Sequence, residues 1–141
     1  MLIKLIFLDF DGVLHPCVAG TFIYLERFQD FLRKHPELRV VFSTTWRLDH
    51  SWSELLALFD DDLHSRFLGM TPDLGDTGGA MREREIRTWL RIKGYESIRW
   101  VALDDDTSLF TANLPQLVAC ETVRGLRPAQ LARAEAILEL Q

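Results

Sequence analysis

Long apolar runs are missing from this chain. None approaches the about 18 residues that a bilayer-spanning helix needs, so no membrane segment and no membrane partner is expected. Cysteine is scarce: Cys17 and Cys120 stand alone, without metal-type spacing. With no His/Cys cluster beside them, a zinc centre is not expected. Two reduced thiols in a cytoplasmic protein is the reading the compartment rule favours, and a disulfide between them stays open. Basic charge is also in deficit. Sixteen Lys and Arg against 21 Asp and Glu leave a net charge of −5, which argues against coating nucleic acid through a broad basic face. A small basic pocket is compatible with it. Repeats, low-complexity tracts and charged tails are absent. The opening M-L-I-K-L-I-F-L-D-F has no basic leader or small-residue cleavage site and carries an acid at position 9, so it does not read as a signal peptide.

What remains is ordinary globular material: 141 residues, 48% hydrophobic and 26% charged, the size of one domain with one good core. Residues 2–9 form a near-continuous apolar run, the pattern of a strand buried on both faces. Leu25, Phe28, Phe31 and Leu32 recur at helical spacing within 22–34, and His35-Pro36 ends that helix. L-R-V-V-F-S (38–43) reads as a second buried strand. Ser51 with Glu54 suits a capping box that opens a helix through Phe59. Asp60-Asp61-Asp62 reads as a solvated loop, 66–69 as a short strand and D-T-G-G (76–79) as a turn. A helix over 80–93 is followed by Gly94. Residues 99–103 and 117–120 supply two more strands, and Pro128 suits the first position of a last helix. Trp52, Trp89 and Trp100 are expected in the core.

Strands alternating with helices predict an α/β three-layer sandwich around a mainly parallel five-stranded sheet. Such sheets gather ligands at the carboxyl ends of their strands. Three of those ends are polar: Asp9 with Asp11, Ser43 with Thr44, and Asp104 with Asp105. Asp9 and Asp11 would share a face if the extended chain continued. Held together they would repel, so that one is protonated or both surround a cation. A third carboxylate from Asp104 or Asp105 favours the cation, and an all-oxygen set suits Mg²⁺, which takes its remaining ligands from water and phosphate. Either acidic stretch alone also fits a turn or a solvated loop; their placement at corresponding strand ends points to function.

The order of these stretches resembles the haloacid dehalogenase (HAD) superfamily. D9-F-D11-G12 after an apolar strand resembles its first motif, V40-V41-F42-S43 its second, R82-E-R84-E85-I86 can supply its third, and V101-A102-L103-D104-D105 resembles its fourth. D-F-D-G-V-L-H-P, S-T-T-W-R, E-I-R-T-W-L and W-V-A-L-D-D together resemble, more narrowly, the HAD domain of RNA-repair proteins and small stand-alone bacterial relatives. The resemblance covers about residues 2–125.

It implies a Rossmann-like HAD fold and a phosphatase with these roles. Asp9 is the nucleophile that forms a phosphoaspartate. Asp11 is the acid that protonates the leaving oxygen and then the base that activates water. Mg²⁺ is held by Asp9, the backbone carbonyl of Asp11, and Asp105; Asp104 stands behind, though the last two could exchange roles. Ser43 binds a phosphoryl oxygen with Thr44 in reserve. Arg82, or else Arg84, places a cation over the phosphate where the family more often has lysine.

Further expectations attach to the neighbours. Gly12 permits the tight exit from the first strand and sits at the substrate end. His15 either lines the pocket or is a plain loop residue. Trp46 could stack a base and Arg47 meet a second phosphate, or the pair could be core and surface residues. Between the motifs there is no room for a cap domain, so the expected site is open, and the expected partner is a phosphorylated substrate such as a nucleotide or a nucleic-acid end. The alternatives are a HAD-like phosphate-binding or regulatory module without catalysis, and a dehalogenase, which Asp11 argues against.

Overall fold

The computed structural model describes residues 2–75 and 78–141. Five strands, β1 (Lys4–Leu8), β2 (Leu38–Phe42), β3 (Phe67–Met70), β4 (Trp100–Asp104) and β5 (Leu117–Ala119), form one sheet in the order β3-β2-β1-β4-β5. Every pairing is parallel, as the α/β reading requires. Among the described residues, three α-helices connect successive strands from β1 to β4, α1 (Leu25–Lys34), α2 (Trp52–Leu56) and α3 (Met81–Lys93), and a fourth, α4 (Pro128–Leu138), follows β5.

The central strand divides its side chains between two cores, because successive residues face opposite sides. Ile6 and Leu8 pack with α1, α2 and α4 through Phe28, Phe31, Leu32, Leu55, Ala134 and Leu138. Leu5 and Phe7 pack with α3 through Ile86, Trp89 and Leu90. Trp89 and Trp100 both meet the edge of Phe7, at centroid distances of 5.7 and 5.6 Å. Each large side chain buried this way contributes about 1.5–3 kcal/mol. These are the expected three layers. Trp52 is half-buried against the first core.

Several boundaries differ from the sequence reading. Helix α1 begins at Leu25 rather than near Phe22, because Phe22 takes a left-handed conformation (φ 51°). The capping box of Ser51 and Glu54 forms, but α2 stops at Leu56. The acids at 60–62 are not merely solvated: Asp61–Arg66 is a 3-10 turn, and the Arg33 guanidinium donates to Asp60 at 2.7 Å and to Asp62 at 3.0 Å. Gly94 ends α3 in the left-handed conformation (φ 72°), and Pro128 opens α4. The turn expected over 76–79 falls partly outside the described residues; Gly78 and Gly79 lie in a bend. Among the described residues, no second sheet or helical layer covers the carboxyl edge of the sheet. No helix there is long and apolar enough to cross a membrane.

Candidate active site

The parallel register assembles the site. Leu8 lies opposite Phe42 on one side and Leu103 on the other. The ladder runs one step further, with Ser43 N–H donating to Leu8 O and Asp9 N–H donating to Leu103 O, both at 3.1 Å. Ser43, Asp9 and Asp104 therefore emerge side by side at the carboxyl edge.

Asp9, Asp104 and Asp105 each present an oxygen, and the three oxygens lie within 4.8 Å of one another. Asp9 and Asp104 are almost fully buried, and Asp105 is half-buried. Burial, reinforced by the neighbouring Asp104, pushes the Asp9 carboxyl well above the usual carboxylate range, against the pull of Arg82 and the Phe10 N–H. Burial also raises Asp104, although Arg82 works in the opposite direction. Carboxyls pushed this way need positive charge to ionise together. Arg82 supplies part of it. Its Nη1 lies 2.8 Å from Asp104 and 3.3 Å from Asp9. Burial weakens the guanidinium's hold on its proton, but Asp104 and Asp9 more than offset this.

An all-carboxylate oxygen set is the donor chemistry of Mg²⁺, and the surrounding chain is shaped to it. Gly12 has φ 74°, and a β-carbon there would run into the Asp105 carboxylate and lie 2.8 Å from Asp105 Cβ. Only glycine lets Asp105 come this close. Asp104 spends one oxygen on Arg82 and the other on the Asp106 N–H at 3.0 Å. Asp105 is held from one side, by the Thr122 hydroxyl at 2.8 Å. Asp105 is thus the freer of the two carboxylates to take a metal ion.

Among the described residues, two buried donors beside this cluster find no protein acceptor: Ser43 Oγ and Arg82 Nε. Unpaired buried polar groups cost about 1–3 kcal/mol each, and they are tolerated where a ligand completes them.

Other singled-out residues go elsewhere. The Asp11 carboxylate does not join the three-acid cluster. The strand stops at Leu8, and the Val13 and Leu14 N–H groups both donate to Phe10 O, so the chain turns before Asp11 can share the face of Asp9. Its Oδ1 instead meets His15 Nε2 at 2.8 Å and Trp46 Nε1 at 3.3 Å. Thr44 caps the following 3-10 turn, accepting from Trp46 N–H at 3.2 Å. Arg84 donates to the carbonyls of Gly78 and Gly79, both at 3.1 Å, away from the acids. Of the two arginines, Arg82 is the one that reaches the cluster.

Arg47 is not a surface residue waiting for phosphate. Its guanidinium donates to the carbonyls of Thr71, Thr44 and Pro72 and pairs with the buried Glu85 at 3.1 Å. It ties β2's exit to the segment after β3 and to α3.

Thr122, Glu85 and the grip on Asp11 were missed in the sequence; nothing in the spacing of Thr122 or Glu85 signals them. The loops around the site are stitched together by Gly12 N–H donating to Cys17 O at 2.9 Å and Cys17 N–H donating to Thr122 O at 2.7 Å. Cys17 is exposed and Cys120 buried, both as free thiols. Burial, aided by Asp104, Asp105 and Asp9, pushes the Cys120 thiol up to about 12.

A protein-family model described as the HAD domain in Swiss Army Knife RNA repair proteins matches residues 5–131. The chain belongs to this family. No curated protein and no solved structure matches it. As a HAD domain it has the expected Rossmann-like sheet and no cap layer among its described residues. Membership supports a HAD-type hydrolase or phosphatase in general, in a superfamily that generally uses Mg²⁺.

Proposed function

We propose that this HAD domain is a Mg²⁺-dependent phosphomonoesterase acting through a phosphoaspartate on Asp9. The observation that carries the reading is one constellation. Three carboxylates offer oxygens within 4.8 Å, next to two buried donors, Ser43 Oγ and Arg82 Nε, that lack acceptors. Carboxylates call for a cation, and unmet donors call for anionic oxygen; a metal-bound phosphate answers both.

Asp9, Asp105 and the backbone carbonyl of Asp11 would hold the metal, with Asp104 fixing Arg82 behind them. Bound there, Mg²⁺ supplies charge that offsets the phosphoryl oxygens. An Asp9 oxygen attacks phosphorus and forms the P–O bond. The P–O bond to the leaving group breaks, and its electron pair leaves with the alkoxide oxygen. Asp11 gives that oxygen a proton. Asp11, now ionised, takes a proton from water as the water oxygen attacks phosphorus, and the P–O bond to Asp9 breaks. Both carboxyls end as they began. Ser43 and Arg82 hold the non-bridging oxygens through both steps.

An uncovered site suits a large substrate, and the family description points to RNA repair, so the substrate class we favour is a nucleotide or a phosphorylated nucleic-acid end. Purified protein should hydrolyse 4-nitrophenyl phosphate and a panel of 3′- and 5′-phosphorylated oligonucleotides with Mg²⁺ and not with EDTA. Asp9→Asn should be inactive. Turnover that survives Asp9→Asn removes the covalent route; Mg²⁺-dependent phosphate binding with no turnover on any substrate replaces the enzyme with a binding module.

A further inference from the structure

The acid of the proposed reaction is held by two residues to which the four HAD motifs assign no role, His15 and Trp46. His15 is fully buried (0% exposed), whereas the Asp11 side chain it meets is 31% exposed. A half-exposed carboxylate can take its hydrogen bonds from water, so its own solvation does not require a buried imidazole. His15 sits in an aromatic box. Phe22 meets it edge-on at a centroid distance of 4.7 Å, and Trp46 lies 6.1 Å away and packs edge-on to Phe22 at 5.3 Å. His50 stacks on the outer face of Trp46 at 5.1 Å and donates from Nδ1 to Trp46 O at 3.1 Å. Phe22 reaches its place at φ 51°, a conformation that costs an L-residue about 1–2 kcal/mol.

Both polar tips in this box point at one atom, Asp11 Oδ1. The indole N–H can only donate. The network assigns the imidazole proton to Nε2, because the His15 Nδ1 has no partner and the carboxylate oxygen accepts. Two N–H groups then occupy Oδ1, and among the described residues no protein group donates to Oδ2.

We propose that His15 and Trp46 are positioning residues for the general acid: they pin Asp11 Oδ1 so that Oδ2 carries the transferred proton and faces the leaving oxygen. This rests on the phosphatase reading above and adds to it which oxygen works and what aims it. Placement of the reacting group is worth orders of magnitude in rate, and a carboxyl on a loop would otherwise rotate freely.

The test exploits the leaving group. The quotient kcat/KM reports events up to departure of the leaving group. A 4-nitrophenolate leaves without a proton, but an alkoxide does not. Wild type, His15→Leu, His15→Gln and Trp46→Phe are therefore compared on 4-nitrophenyl phosphate and on glycerol phosphate. For His15→Leu, kcat/KM on glycerol phosphate should fall about 100-fold and that on the aryl ester by less than about threefold. On the aryl ester, kcat and KM should fall together, because Asp11 still serves as base in the second step. His15→Gln, which keeps an N–H donor at similar reach, should recover most of the loss. Trp46→Phe keeps the ring and removes only its N–H, so it carries the test should His15→Leu misfold; its loss should again be confined to the alkyl ester, at about tenfold.

Equal losses on both esters, or none on either, in a folded variant overturn the proposal. Failure of His15→Gln to rescue, with its fold intact, does the same. A wild type that hydrolyses neither these esters nor any phosphorylated oligonucleotide of the panel overturns the phosphatase reading and this inference with it, whereas wild-type turnover with uniform losses overturns the positioning role alone.

Discussion

Adding one methyl group at Gly12 tests how closely Asp105 is packed into the acidic cluster. Gly12 is left-handed (φ 74°), and a β-carbon there would collide with the Asp105 carboxylate and lie 2.8 Å from Asp105 Cβ. The backbone conformation alone costs alanine about 1–2 kcal/mol. A less flexible unfolded chain returns about 0.4–1 kcal/mol, leaving a net of about 1 kcal/mol. The Asp105 side chain must then swing aside, breaking its 2.8 Å hydrogen bond from Thr122. That bond is worth about another 1 kcal/mol. Gly12→Ala should therefore lose about 2 kcal/mol, or about 4–8 °C in Tm for a chain of this size.

The metal response is the sharper reading. With Asp105 displaced, Mg²⁺ affinity should fall about 10–100-fold, comparable to losing a ligand's support. At a fixed saturating concentration the stabilisation by metal then shrinks by about 1.4 kcal/mol per tenfold. The control is Gly94→Ala. Gly94 has nearly the same backbone (φ 72°) but open space where the methyl would go. It should lose about 1 kcal/mol and keep the wild-type Mg²⁺ shift. Thermal scans over a Mg²⁺ titration, with EDTA as the zero point, distinguish the two. If Gly12→Ala shows the same Mg²⁺-induced shift as Gly94→Ala, Asp105 is not a ligand and the cluster argument fails.

Two further outcomes follow from the buried polar groups. Ser43→Ala removes a hydroxyl that has no protein partner, so Tm should hold or rise by the equivalent of up to about 1 kcal/mol. Turnover should nonetheless drop about 100-fold; a destabilised variant with normal turnover would contradict the role of Ser43. Asp9→Asn tests the electrostatics without metal. Because the folded-state pKa of Asp9 lies above its ordinary value of 3.8, the native protein binds the extra proton, and wild-type stability falls as pH rises through the window between the two. Each tenfold difference in proton affinity is worth about 1.4 kcal/mol. In EDTA, Asp9→Asn should gain on wild type as pH rises from about 4 towards neutrality, and the gap should close in acid; a gap independent of pH would refute the assignment.

The strand ends carried the legible part of the site. Ser43, Asp9 and Asp104 could be aligned because parallel register is set by continuous apolar runs, and those runs stop at comparable points in the sequence. What followed each strand was less legible. Asp11 was expected to share the face of Asp9, but the Phe10 carbonyl collects two N–H donors and turns the chain. Such a turn depends on hydrogen bonds that no spacing rule encodes. Arg47 could be read equally as a phosphate contact or as a surface residue, because nothing in S-T-T-W-R reveals Glu85, 38 positions later, or the carbonyls of Thr71 and Pro72. The choice between Arg82 and Arg84 needed the rotation of α3, which places the first toward the acids and the second toward Gly78 and Gly79. His15 and Trp46 were conspicuous as residue types, but their common target was invisible until the loop was closed.

The two thiols stand in opposite chemical circumstances, and that asymmetry is useful at the bench. Cys120, buried beside three acids with its proton held up to about 12, offers an alkylating reagent almost no thiolate at neutral pH. Cys17 is open to solvent, and its backbone joins Gly12 on one side to Thr122 on the other. A maleimide dye added to the unmodified chain should therefore settle at a single address on the rim, where its fluorescence can register a ligand's arrival without any engineered label site.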